Sequence, residues 1–113
     1  HANNHRDLEN DRRSGIRTLA GLVGAAASRR FYYALLAVAF ASPVVWVSAG
    51  LARWPVLLPL LAGPLAAAPL RKMRKNVGDL ALQDVDVATA KLHLVHGVLM
   101  QVGIALAWGR VSP

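Results

Sequence analysis

The run Phe31-Tyr32-Tyr33-Ala34-Leu35-Leu36-Ala37-Val38-Ala39-Phe40-Ala41-Ser42-Pro43-Val44-Val45-Trp46-Val47-Ser48-Ala49-Gly50-Leu51 carries no charged side chain. As a helix rising ~1.5 Å per residue, it is long enough to cross a hydrocarbon core of about 30 Å. Pro43 falls inside it and predicts a kink, which a membrane helix tolerates when neighbours satisfy the freed carbonyl. Outward from this run, Arg53 and Trp54 mark a tight turn, and a second uncharged run covers 54–70. It holds Pro55, Pro59, Pro64 and Pro69, so the expected span is bent or broken, with Pro55 suited to a first-turn position. A third apolar run covers 92–108, with His93, His96 and Gln101 as its polar members and Arg110 closing it.

The whole composition agrees. Hydrophobic residues make up 55% of the 113 residues, charged ones 17%, and the mean hydropathy is +0.37. That is too oily for an ordinary soluble domain, and the length allows one domain at most. The net charge of +7 does not point to nucleic acid, because the basic residues form no continuous stripe and aromatics are few. With no cysteine there is neither a disulfide framework nor thiolate chemistry.

The basic residues sort by side. Of thirteen, Arg6, Arg12, Arg13, Arg17, Arg29 and Arg30 precede the first span, and Arg71, Lys72, Arg74, Lys75 and Lys91 separate the second from the third. Only Arg53 and Arg110 fall on the other side, a positive-inside pattern that places the chain's opening segment in the cytoplasm. Phe31, Tyr32 and Tyr33 then belong to the inner interface, and Trp54 and Trp108 to the outer one. The expected fold is an all-α membrane bundle. The expected location is the cell membrane, with several passes.

The opening segment is polar: Asn3-Asn4-His5-Arg6-Asp7-Leu8-Glu9-Asn10-Asp11-Arg12-Arg13-Ser14-Gly15-Ile16-Arg17-Thr18-Leu19-Ala20. As a helix, it stacks Asn3, Asp7 and Asp11 on one face at i, i+4 and i+8. Spacing alone favours a solvated helix end, since D-x-x-x-D is common. Two aspartates a turn apart also suit magnesium, which takes one or two carboxylates and leaves its other positions to water and phosphate. Beside the inner face of a bilayer, such a pair with many arginines fits an amphiphile with a phosphate head. Carboxylates repel phosphate, so a divalent ion must stand between them. Arg6 and Arg17 add charge-assisted bonds to the same oxygens, and the Asn3 and Asn4 amides ligate the ion or orient the carboxylates. Gly15 predicts a helix stop, and Ile16 to Val23 a short second element ending at Gly24.

Asn-Asn-x-Arg-Asp-x-Glu-x-Asp (3–11), with Gly15 four residues on and then Thr18-Leu19-Ala20, resembles the second aspartate-rich motif of the UbiA-type membrane prenyltransferases. Within that superfamily it is most similar to the 1,4-dihydroxy-2-naphthoate polyprenyltransferases of menaquinone synthesis and their animal relatives. Arg29-Arg30 before an aromatic, and Thr89-x-x-x-His93-x-x-x-Gly97, extend the likeness loosely over the chain. One position departs: bacterial members usually carry Lys after the motif glycine, where this chain has Ile16.

The resemblance implies a bundle of about nine membrane helices with two aspartate-rich motifs facing across a cavity. This chain, which begins at His1 rather than Met, would be a piece of a longer protein holding the second motif and the last three helices (residues 1–24, then spans 31–51, 54–70 and 92–108). The first motif would lie upstream in the same polypeptide, so the fragment alone would be inactive. Asp7 and Asp11, with Asn3, would bind Mg2+, while Arg6, Arg17 and Asn4 would meet the diphosphate. The substrates implied are a polyprenyl diphosphate and 1,4-dihydroxy-2-naphthoate, giving demethylmenaquinone. Two rival readings are another aromatic acceptor, and a small non-enzymatic three-span protein whose charged start binds a partner.

Other residues carry blander expectations. His93 and His96 read as a packed or interfacial pair, Gln101 as helix-to-helix glue, and Arg71 to Lys75 as a topology anchor drawn to anionic lipid. Asp79, Asp84 and Asp86 read as solvated loop charges.

Overall fold

The computed structural model describes residues 1–78 and 80–108. The expectations for Asp79 and Arg110 lie outside the described residues. Helix accounts for 81% of the described residues, which include no strand. Two short helices, α1 (Ala2–Arg6) and α2 (Leu8–Arg13), precede the long α3 (Leu19–Ser48). A 3₁₀ helix over Trp54–Ala62 runs straight into α4 (Gly63–Lys72), a 3₁₀ turn covers Leu80–Leu82, and α5 (Val85–Trp108) follows.

Three stretches are long and apolar enough to cross a membrane: Leu19–Ser48, Trp54–Lys72 and Val85–Trp108. The first begins well before Phe31, because Thr18 caps it: its hydroxyl accepts from the Gly21 N–H at 3.2 Å. Gly24 (φ 80°, ψ 165°) then splits off the first turn and a half, and only a glycine adopts this backbone cheaply. The chain keeps helical dihedrals through Pro43, so the interruption in α3 lies at Gly24 and not at the proline. Ser42 explains the tolerance. Pro43 has no N–H for the Ala39 carbonyl, and the Ser42 hydroxyl donates to that oxygen instead, at 3.2 Å.

The second span is the proline-rich one. Pro55 and Pro59 deny the backbone two N–H donors, and the segment winds as a 3₁₀ helix up to Ala62. That tighter winding lengthens it. At ~2.0 Å per 3₁₀ residue and ~1.5 Å per α residue, Trp54–Lys72 reaches about 33 Å, enough to cross the hydrocarbon core.

The bundle measures 61 × 22 × 19 Å. One cluster of buried residues joins Ala2, Tyr32, Met73, Leu82 and Val85, and a second joins Ala62, Ala66 and Leu92 to Leu36, Phe40, Val95 and Leu99. Most other large apolar side chains face outward, including Leu22, Val38, Leu61, Leu94 and Val98. Such a surface belongs against lipid or further helices. The two ends differ in chemistry. At one, Arg29 donates to the Arg74 carbonyl (3.3 Å) and Lys72 pairs with Asp84 (3.8 Å). At the other, Leu51, Ala52 and Arg53 gather beside Trp108.

Candidate functional site

The charged end carries α1 and α2. Asp7 sits at their junction with φ −89° and ψ 6°, yet the Asp7 N–H still reaches the Asn3 carbonyl (2.9 Å) and the Asp11 N–H the Asp7 carbonyl (2.8 Å). The backbone register of Asn3, Asp7 and Asp11 therefore survives the junction. A Schellman closure ends α2: Ile16 N–H bonds Asp11 O (2.8 Å) and Gly15 N–H bonds Arg12 O (3.4 Å), with Gly15 at φ 70°.

A buried serine fastens α1 to α3. Ser28 is fully buried, and His1 Nε2 lies 3.0 Å from both its carbonyl and its hydroxyl. The carbonyl can only accept, so His1 donates there. The Ser28 hydroxyl also bonds His5 Nδ1, 2.9 Å away. The other ring nitrogen of His5, Nε2, is buried and unbonded. Burial, reinforced by the Arg29 charge, lowers the pKa of His5.

Arg6 is the hub of the site. Its Nε donates to Asp7 Oδ1 and its Nη2 to Asp7 Oδ2, both at 2.8 Å, a two-pronged fork. Nη2 also meets Asn3 Oδ1 at 2.5 Å. Nη1 meets the Gln83 carbonyl at 3.2 Å and Asp86 Oδ2 at 2.6 Å. A guanidinium has five N–H donors, and here every one has a protein acceptor. The hydrogen bond from Arg6 holds the Asp7 carboxyl below its ordinary pKa, and the bonds to Asp7 and Asp86 raise that of Arg6.

The structure thus brings Asn3, Arg6, Asp7 and Asp86 together. Asp11 is half-exposed one turn on, and Asn4 is half-buried on α1. Arg17 stands apart, lining a shallow cleft with Arg12, Gly15 and Leu22, whereas Arg6 and Asp7 border another with Leu80, Leu82 and Gln83. Asp86 corrects the sequence reading. It is not a solvated loop charge but lies in the first turn of α5, two-thirds buried against Arg6. Its position one residue into an apolar helix was a readable hint, since acids favour a helix's first turn. Asp84, by contrast, is 77% exposed. Of the histidine pair, His96 packs edge-on against Phe40 at 5.1 Å and His93 is exposed. Both border an apolar cavity of about 210 Å³ between α3 and α5.

The model of the UbiA prenyltransferase family matches residues 1–95. The chain belongs to that family. The chain is 36% identical over 107 residues to UbiA prenyltransferase domain-containing protein 1 of Rattus norvegicus, covering 95% of this chain and 30% of the relative. The Xenopus tropicalis protein of that name is 38% identical over 109 residues (95% and 29%). The Drosophila melanogaster homolog is 40% identical over 109 (95% and 28%). The chain therefore spans about 30% of the length of the curated relatives it matches. No solved structure matches it. Family and spans together make it part of a multi-pass membrane protein.

Among the described residues no three His, Cys, Asp or Glu side chains gather as an all-protein metal cage would need. The donors present suit the other way of holding magnesium, with one or two carboxylates and the rest from phosphate and water. The Asp7 oxygens keep free lone pairs beyond the Arg6 fork, and Asp11 follows one turn on. The residues fit the ion.

Proposed function

We propose that this chain supplies the second half of the site of a magnesium-dependent aromatic prenyltransferase, moving a polyprenyl group from its diphosphate to 1,4-dihydroxy-2-naphthoate. The observation that carries this reading is the Asp7 carboxylate, kept ionised by the Arg6 fork at the end of the bundle where the basic residues collect. Asp7, Asp11 and Asn3 would hold the ion, which when bound neutralises charge on the departing diphosphate. Arg17 and Asn4 would extend toward the phosphate oxygens. Arg6 would meet them only by releasing one of its present acceptors. In the transfer the prenyl C–O bond breaks, the electron-rich ring carbon attacks the allylic carbon, and the ring carboxylate leaves as carbon dioxide. Diphosphate departs with the oxygen of the broken bond, and the product is the prenylated naphthalene-1,4-diol, the quinol form of demethylmenaquinone.

The positive-inside pattern supports a cytoplasmic site in the cell membrane, and the rest of the same polypeptide would bring the first aspartate-rich motif. The test is Asp7→Ala and Asp11→Ala in the full-length protein, assayed in membranes with polyprenyl diphosphate, naphthoate and magnesium. Each should cut transfer by about 100-fold or more. Unchanged magnesium-dependent transfer would sink the reading, and a screen of aromatic acceptors separates the naphthoate from its rivals.

A further inference from the structure

Arg6 could serve the site by touching substrate or by holding other groups in place. The geometry favours the second. Its donors are filled by Asn3, Asp7, the Gln83 carbonyl and Asp86, and its side chain is 26% exposed. Two of these acceptors come from α1 and the residue after it, and two from the entry to α5. Arg6 therefore bolts the acidic motif to the start of the last span. Of the α5-side acceptors, only Asp86 brings a charge. Without it, the guanidinium keeps one carboxylate, Asp7, and only the 3.2 Å bond to the Gln83 carbonyl restrains its far side.

We infer that Asp86 is a positioning residue: by holding Arg6 through Nη1, it fixes the direction of the Asp7 carboxylate toward the ion and diphosphate. This rests on the function proposed above. Asp86 itself touches neither substrate nor ion in this scheme, and its effect passes through Arg6. Groups standing behind a metal ligand commonly change metal affinity or activity by about 10- to 100-fold when removed. Removing Asp86 also frees an Arg6 donor, so the Michaelis constant for the prenyl diphosphate should hold steady or fall while kcat drops.

The experiment uses the full-length protein purified in detergent, with Mn2+ alone as the probe and its free signal followed by electron paramagnetic resonance. Asp86→Asn should weaken Mn2+ binding about 10-fold and lower kcat without raising KM, and Asp86→Glu should restore most of both. Asp84→Asn removes the same charge nearby, at an exposed residue that pairs with Lys72, and should change neither. If Asp86→Asn binds Mn2+ like the parent while Asp7→Ala has lost it, the positioning role is overturned and the proposed function stands. If Asp7→Ala also binds like the parent, both fall. Equal effects from Asp84→Asn and Asp86→Asn would reduce Asp86 to general charge and overturn the inference. So would a loss of kcat that only tracks the folded fraction, read from the melting curve.

Discussion

Gly103 of α5 lies against the Pro55 carbonyl so closely that a β-carbon there would overlap the oxygen and crowd Val56 Cα. The contact is with backbone, which cannot swing aside as a side-chain tip would. Gly103→Ala should therefore force α5 away from the 3₁₀ helix and lower the melting temperature of the detergent-purified protein, at a cost of about 1–3 kcal/mol. Gly63, at the start of α4, has open space where its β-carbon would be, and Gly63→Ala should melt no lower than the parent. Equal melting for both variants would mean that the close approach does not exist.

This contact also marks where sequence reading stops. The three spans, their charge asymmetry and the stops at Gly15 and Gly24 were legible because each depends on neighbours along the chain: a hydropathy average, a count of arginines, a glycine past a helix end. The 3₁₀ winding was half legible, since prolines announce a bent span without saying how it bends. Asp86 was legible at most as a first-turn acid and not as the partner of Arg6, which is distant in sequence and meets it only once α1 has docked on α5. Nor does a motif reveal that Arg6 has spent all its donors on protein. Pairing across the bundle is a tertiary fact, and periodicity carries no trace of it.

Tyr32 and Thr89 tie α3 to α5 through hydroxyls 2.7 Å apart. The Thr89 proton goes to the Val85 carbonyl at 2.6 Å, so Tyr32 must be the donor of the pair. The two deletions should then differ. Tyr32→Phe removes a donor and leaves Thr89 bonded to Val85, costing about 1 kcal/mol. Thr89→Val strands the buried Tyr32 hydroxyl and should cost about 1–3 kcal/mol. Thermal melts of the two variants check the order, and a milder effect for Thr89→Val would contradict this bonding scheme.

His5 gives the docking of α1 a pH dependence. Its folded pKa lies below the ordinary 6.5, first through burial and then through Arg29. Above 6.5 it is neutral folded or unfolded, and its contribution to stability is complete. As pH falls below that value the unfolded chain takes up the proton first, so stability drops until the folded pKa is passed, and then levels off. His5→Asn removes this titration. Stability measured between pH 7.5 and about pH 5 should fall more steeply for the parent than for the variant. Parallel curves would show that His5 does not titrate differently on folding.

Ser42 and Pro43 form a compensating pair, and a double-mutant cycle tests it. The Ala39 carbonyl has lost its helical donor to Pro43 and takes the Ser42 hydroxyl instead. Ser42→Ala should thus cost about 1 kcal/mol in the parent, with the carbonyl left bare in an apolar span. In a Pro43→Ala background the residue 43 N–H can bond Ala39, and the same serine change should cost close to nothing. Pro43 is itself buried, so Pro43→Ala carries a packing cost of its own. That cost appears on both sides of the cycle and cancels, leaving the coupling alone. A coupling energy near zero in detergent melts would mean that Ser42 serves some other purpose and that the helix tolerates Pro43 without it.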